Sequence, residues 1–247
     1  MNFKDCIDSY PFILMEGALG ERLKREFDLD ISGTVAMADL IYQQKGRMAL
    51  KTLWNEYMDI AHRYQLPFLA TTPTRRANKE RVYMAGYNES IITDNVDFLR
   101  TIKETANVNM YIGGLMGCKG DAYTSERALN QEEAIAFHSW QASLFKSVGV
   151  DFLYAGIMPV LSEAIGMAVA MSDTDIPYII SFTIQRNGKL IDGHTINDAI
   201  YYIDNHVSNK PVCYMTNCVH PDIVYEALSH KFNQTQMVKN RFWGIQA

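Results

Sequence analysis

Val212-Cys213-Tyr214-Met215-Thr216-Asn217-Cys218-Val219-His220-Pro221 reads as a strand handing over to a helix. Its first half is β-branched and aromatic, and Pro211 bounds it on the N-terminal side, which is the composition of a short strand. Beyond His220-Pro221, residues 222–228 are amphipathic and open on an acidic residue, a helix-start signal. Cys218 therefore falls where the strand ends and the helix has yet to begin. In an α/β fold that is the C-terminal edge of the sheet or barrel, where ligands bind. A buried, inert thiol is the other reading of the same residue.

The same alternation repeats along the chain. Strands are expected at 12–15, 66–70, 108–112, 152–157, 178–184, 212–217 and 242–247, with helices at 35–64, 91–104, 130–148, 161–171, 196–204 and 222–228. From the second strand onward the starts fall near Pro67, Val108, Asp151, Tyr178, Val212 and Phe242, roughly 35 residues apart, which suits βα units. Such alternation implies a parallel sheet with right-handed crossovers. A closed barrel of eight strands needs about two more strands and their helices, so the pattern fits a truncated barrel or an open sheet. A hairpin is expected at Arg186-Asn187-Gly188-Lys189, from its turn residues.

Composition bounds the function. The 247 residues are 48% hydrophobic and 21% charged, with a net charge of −5, ordinary for a globular domain. No basic block is present, which argues against nucleic acid. The apolar runs are strand-length and too short to span a membrane. The start Met1-Asn2-Phe3-Lys4-Asp5-Cys6 lacks a secretory h-region, and Cys6, Cys118, Cys213 and Cys218 show no disulfide-framework spacing. A reducing cytoplasm is the expected compartment. No linker interrupts residues 1–247, which read as a single domain. The thirteen methionines read mostly as core filler.

Chemistry-bearing residues cluster at predicted strand ends. Phe12-Ile13-Leu14-Met15 runs into Glu16-Gly17-Ala18-Leu19-Gly20, where two glycines allow close backbone approach to a ligand. Glu16 is either a ligand-binding carboxylate or a solvated turn residue. Thr71-Thr72-Pro73-Thr74-Arg75-Arg76-Ala77-Asn78 could bind an anion or cap a helix. The glycine-rich loop 113–120 lacks the GxGxxG spacing of a dinucleotide site, and no Walker A or GxSxG motif occurs. His62 reads as a helix C-terminal cation. His138 and Gln141 lie one helical turn apart and are expected at the surface.

Taken in order, Glu16-Gly17-Ala18-Leu19-Gly20, Thr72-Pro73-Thr74-Arg75-Arg76-Ala77-Asn78, Gly114-Leu115-Met116-Gly117-Cys118-Lys119-Gly120-Asp121, Ser162-Glu163-Ala164, Asp192-Gly193 and Asn217-Cys218 resemble the signatures of the homocysteine S-methyltransferase family. There the corresponding motifs read roughly DGAMGT, TNTYRAN, GSIGPYGD, an EA pair and NC. The closing Arg241–Ala247 stretch resembles the start of the family's seventh strand.

The resemblance implies an α/β fold of the (βα)8 TIM-barrel type, truncated after about six and a half βα units. It implies methyl transfer to the thiolate of homocysteine or a related thiol, giving methionine or a thioether, with zinc as the cofactor that holds the sulfur as thiolate. Cys218 takes the place of a zinc ligand. Glu16, Gly17, Ala18 and Asn217 take the places of acceptor-binding residues. The methyl donor is not specified, and a corrinoid- or folate-carrying partner chain is compatible with the family. Exposed strand edges in a shortened barrel predict pairing into a homo-oligomer.

Two departures accompany the resemblance. The family's other two zinc thiolates form an adjacent Cys-Cys pair after the eighth strand, and no such pair occurs in residues 1–247; Cys118 and Cys213 match no zinc position. Many members also carry an acidic residue at the end of strand four, where this chain has Gly156. A non-catalytic ligand-binding or assembly barrel without the complete metal site is the alternative expectation.

Overall fold

The computed structural model describes residues 1–246. In chain order the elements are α1 (Phe3–Ser9), β1 (Leu14–Met15), α2 (Leu19–Phe27), a 3₁₀ turn (Leu40–Tyr42), α3 (Gln44–Arg63), β2 (Phe68–Thr71), α4 (Lys79–Met84), α5 (Ser90–Lys103) and β3 (Met110–Gly117). These are followed by α6 (Gln131–Val148), β4 (Phe152–Met158), α7 (Leu161–Ser172), β5 (Tyr178–Phe182), α8 (Ile196–His206), β6 (Cys213–Asn217), α9 (Pro221–Ser229), α10 (Gln236–Arg241) and β7 (Phe242–Gln246). The strands stand in one sheet in chain order. This is the α/β architecture of a TIM-type barrel, with seven strands described where a complete barrel has eight.

The chain divides into two compact units, Met1–Leu115 with Leu144–Phe152, and Met116–Ser143 with Leu153–Ala247. In the first, β1 pairs in parallel with β2 and β2 with β3. Leu50, Leu53, Trp54, Phe68 and Leu99 are fully buried there. In the second, β4, β5, β6 and β7 pair in parallel in that order, over a core that includes Tyr154, Met158, Met167, Phe182 and Tyr214. Strands β2, β4 and β5 are buried along their whole length, as parallel strands covered on both faces are. β7 alternates instead, leaving Trp243 and Ile245 exposed. Its start is tied to the rest of its unit by Arg241, which forks onto Asp204 through two bonds of 3.0 Å and donates to the carbonyls of Pro211 and Val212.

Several expectations need correction. The helix predicted from residue 35 begins only at Gln44. Ala36 adopts a left-handed φ of 53°, and a Cβ on Gly46 would lie 2.4 Å from the Leu40 carbonyl oxygen. Gly46 thus lets the 3₁₀ turn fold back against the first turn of α3. Gly113 and Gly114 belong to β3 and not to a loop. Side chains there would meet the rings of Phe152 at 2.4 Å and Phe145 at 2.6 Å, so these glycines serve packing. The short helices α2, α4 and α10 lie outside the predicted elements; α4 and α10 have six residues each, too few for two turns of apolar periodicity, whereas α2 does carry Leu19, Leu23 and Phe27 at helical spacing. Of the methionines, only Met58, Met110, Met116, Met158, Met167 and Met171 are buried; fewer than half fill the core. The hairpin is present as antiparallel bridges Ile184–Leu190 and Lys189–Thr195, with Gly188 at φ 77°. Ala247, expected at the end of the last strand, lies outside the described residues.

Candidate functional site

In the first unit, β1 ends in Glu16-Gly17-Ala18 and turns into α2 through a left-handed Ala18, φ 38°. Glu16 is buried, which excludes the solvated-turn reading. Its Oε1 accepts the Thr71 backbone N–H at 2.9 Å and also the Thr71 hydroxyl. Burial raises the Glu16 carboxyl to about 7, against the opposing pull of the Thr71 hydrogen bonds. The Gly17 carbonyl accepts from Tyr57 Oη at 2.5 Å, fixing the turn from α3.

The neighbouring hydroxyls are already engaged. Thr72 Oγ1 accepts the Leu115 N–H at 3.1 Å, and Thr74 Oγ1 donates to the Leu115 carbonyl at 2.8 Å. The two hydroxyls lie 2.7 Å apart, so Thr72 donates to Thr74 and a ring closes around one residue of β3. Asn78, and no threonine, caps α4. The Thr71–Asn78 segment is therefore a clasp between strand ends and a helix cap.

In the second unit, β6 ends in Asn217-Cys218. Asn217 is buried, and its Oδ1 accepts the Ile157 N–H at 3.0 Å and the Ser181 hydroxyl at 2.6 Å. One amide thus ties the C-terminal ends of β4, β5 and β6 together. Ile157 has φ 58°, an outlier for a β-branched residue, and it lies where the β4–β5 register shifts between Ala155 and Met158. Cys218 is exposed and left-handed, φ 56°, and its N–H bonds the Gln246 carbonyl at 3.1 Å. The buried-thiol reading of Cys218 is thereby overturned. Asn217 Nδ2 points at Cys218 Sγ across 3.7 Å. His220 accepts the Asp222 N–H through Nδ1 and caps α9.

The expectation that His138 and Gln141 lie at the surface is also overturned: both are buried. His138 Nε2 lies 3.0 Å from Glu163 Oε1, on α7. The face that α6 turns inward carries small residues one turn either side of the histidine, Ala134 and Ala142, both buried. That spacing is legible in the sequence and points inward.

The family described as Homocysteine S-methyltransferase matches residues 13–242. The chain belongs to that family. A curated member, the homocysteine S-methyltransferase YbgG of Bacillus subtilis (strain 168), is 21% identical over 217 residues, covering 81% of this chain and 67% of that protein. Among solved structures, the metallated form of the homocysteine methyltransferase MmuM from Escherichia coli superposes with a TM-score of 0.78 at 17% identity, covering 99% of this chain and 94% of that one. The oxidized form gives 0.76 at 18% identity over the same shares. These likenesses bear on the fold.

For a member of this family, the donors for a metal are sparse here. Among the described residues no group of three His, Cys, Asp or Glu side chains could hold an ion. Cys6 and Cys213 are buried, and burial pushes both thiols up, Cys213 to about 12. Cys118 Sγ is engaged with the Gly120 carbonyl at 3.6 Å. Of the four, Cys218 offers the exposed thiol, and it stands at a strand's C-terminal end. One thiolate does not make the tetrahedral set that zinc requires, so the described residues do not by themselves fit the metal.

Proposed function

We propose that this chain transfers a methyl group to the sulfur of homocysteine or a related thiol, giving methionine or a thioether. The observation that carries the reading is the family match across residues 13–242. In the first unit, Glu16 and the amides of Gly17 and Ala18 are read as the seat of the acceptor's amino-acid head. Burial raises the Glu16 carboxyl to about 7, and an ammonium group seated beside it would favour the ionised form, a counter-charge that water does not screen. In the second unit, Cys218 is read as one ligand of the family's zinc, and Asn217 as the acceptor-side residue that holds it. The remaining ligands are not among the described residues.

The acceptor and the methyl donor are small molecules. A corrinoid- or folate-carrying partner, and pairing of two copies, are compatible with this reading. Among the described residues no helix is long and apolar enough to cross a membrane, and four free cysteines suit a reducing compartment such as the cytoplasm.

The test is methionine formation from homocysteine, followed by mass spectrometry, with S-methylmethionine, S-adenosylmethionine and betaine offered in turn and zinc added. Methionine above the protein-free background with any one donor supports the reading, and none with all three, nor with methylcobalamin or methyltetrahydrofolate in their place, sinks it. A second reading, a ligand-binding barrel without catalysis, draws on the missing three-ligand group. It expects homocysteine to bind calorimetrically with no turnover.

A further inference from the structure

Residues 118–130 join β3 to α6 and leave the C-terminal end of β3, the end at which (βα) barrels place ligands. The segment is tightly built. Asp121 Oδ1 accepts the N–H groups of Tyr123 at 2.7 Å and Thr124 at 2.9 Å. The Asp121 N–H bonds the Glu126 carbonyl at 3.1 Å, and a Cβ on Gly120 would lie 1.9 Å from that same oxygen. Two non-glycine residues, Ser125 and Arg127, are left-handed, φ 59° and 61°. Backbone of this kind persists only where its surroundings over-determine it.

The support comes from a carboxylate on another element. Glu163, in the first turn of α7, is fully buried. Oε1 accepts the Lys119 N–H at 2.7 Å and Oε2 the Leu129 N–H at 3.3 Å, so one side chain grips both ends of the segment. Ser162 Oγ adds a bond to the Leu129 carbonyl at 2.9 Å. His138 Nε2 meets Oε1 from α6 at 3.0 Å. With both carboxylate oxygens accepting from backbone, Nε2 is the donor. The approach of the helices sets this pairing. A Cβ on Gly166 would lie 2.4 Å from Ala134 Cβ; Gly166 follows Glu163 by one turn and Ala134 precedes His138 by one.

We propose that Glu163, oriented by His138, is a positioning residue that fixes residues 118–130 at the end of β3 and through them sets the affinity for the thiol acceptor. The binding half of this proposal rests on the methyl-transfer reading.

The test compares the whole chain with E163Q, H138L and H138Q, measuring amide exchange of peptides covering residues 117–131 and homocysteine affinity by calorimetry. E163Q keeps the volume but sets an NH₂ against one of two backbone donors. H138L removes the imidazole donor, and H138Q puts an amide N–H back in its place. Exchange in residues 117–131 is expected to quicken about tenfold or more in E163Q and H138L while the rest of the chain is unaltered. Homocysteine is expected to bind about fivefold more weakly in both, and H138Q to restore both readouts.

Unchanged exchange in E163Q and H138L overturns the proposal. So does faster exchange with unaltered affinity, which makes the pair a purely structural clasp. If E163Q fails to fold, H138L against H138Q decides. Absence of homocysteine binding to the unmodified chain overturns the acceptor reading itself, and exchange still decides independently whether Glu163 holds the segment.

Discussion

Asn217, at the C-terminal end of β6, accepts the backbone N–H of Ile157 at the end of β4 across 3.0 Å. That N–H belongs to a β-branched residue at φ 58°, a conformation that needs an outside partner to persist. The same Oδ1 takes the Ser181 hydroxyl. Asn217→Ala would strand two interior donors, at a cost of about 2–4 kcal/mol. Urea unfolding checks this. A loss below about 1 kcal/mol would mean that water replaces the amide without penalty.

Glu16 makes stability depend on pH. Its carboxyl sits at about 7 in the folded chain and at 4.5 in ordinary surroundings. Between those values the folded state binds the proton that the unfolded state releases. Its stabilising contribution is therefore complete below pH 4.5 and falls as pH rises through 7, by about 3 kcal/mol in all. Subtracting the E16Q unfolding curve from that of the unmodified chain, at intervals from pH 4 to pH 8, isolates it. A difference that stays flat refutes the assignment. Thr71→Val, which removes a hydrogen bond that lowers the carboxyl, should move the midpoint upward.

The strands, their order and their parallel sense are legible because continuous apolar runs at regular spacing determine a βα repeat. Cys218 is legible as a strand-end residue for the same reason. The burial of Glu16 and Glu163 is not. A charged residue in a sequence reads as solvated, and the partners of the two carboxylates here include the backbone N–H groups of Thr71, Lys119 and Leu129, which carry no residue signature. The role of Gly113 and Gly114 escapes the sequence for a related reason: a glycine that admits a ring from a distant element looks the same there as one that loosens a loop.

The four thiols should react in a defined order. Cys218 is exposed, Cys118 half-buried, and Cys6 and Cys213 buried, the latter two with thiols pushed up by burial. Iodoacetamide at neutral pH, mapped by mass spectrometry, should modify Cys218 first and leave Cys6 and Cys213 intact until the chain unfolds, since thiolate fraction and access govern the rate. Early modification of Cys213 would contradict the burial of β6.

Two glycines should respond oppositely to alanine. A Cβ on Gly166 would meet Ala134 Cβ at 2.4 Å, the Gln131 carbonyl oxygen at 2.6 Å and the Ile135 nitrogen at 3.0 Å. Two of these are backbone atoms of α6, so no flexible side-chain end can yield, and the helices must part. Overpacking of this kind costs about 1–3 kcal/mol, partly offset by about 1 kcal/mol of helix propensity. Three contacts at or under 3.0 Å put G166A toward the upper end of that cost, a net loss of up to about 2 kcal/mol, and exchange in residues 117–131 should quicken along with it, because Glu163 moves with α7. A Cβ on Gly33 would meet nothing within 4 Å, and alanine there restricts only the unfolded chain, for a gain of up to about 1 kcal/mol. Thermal melts of the two variants side by side decide the matter: a G166A chain as stable as the unmodified one would mean that α6 and α7 do not cross at Gly166, and the pairing of His138 with Glu163 would lose its structural cause.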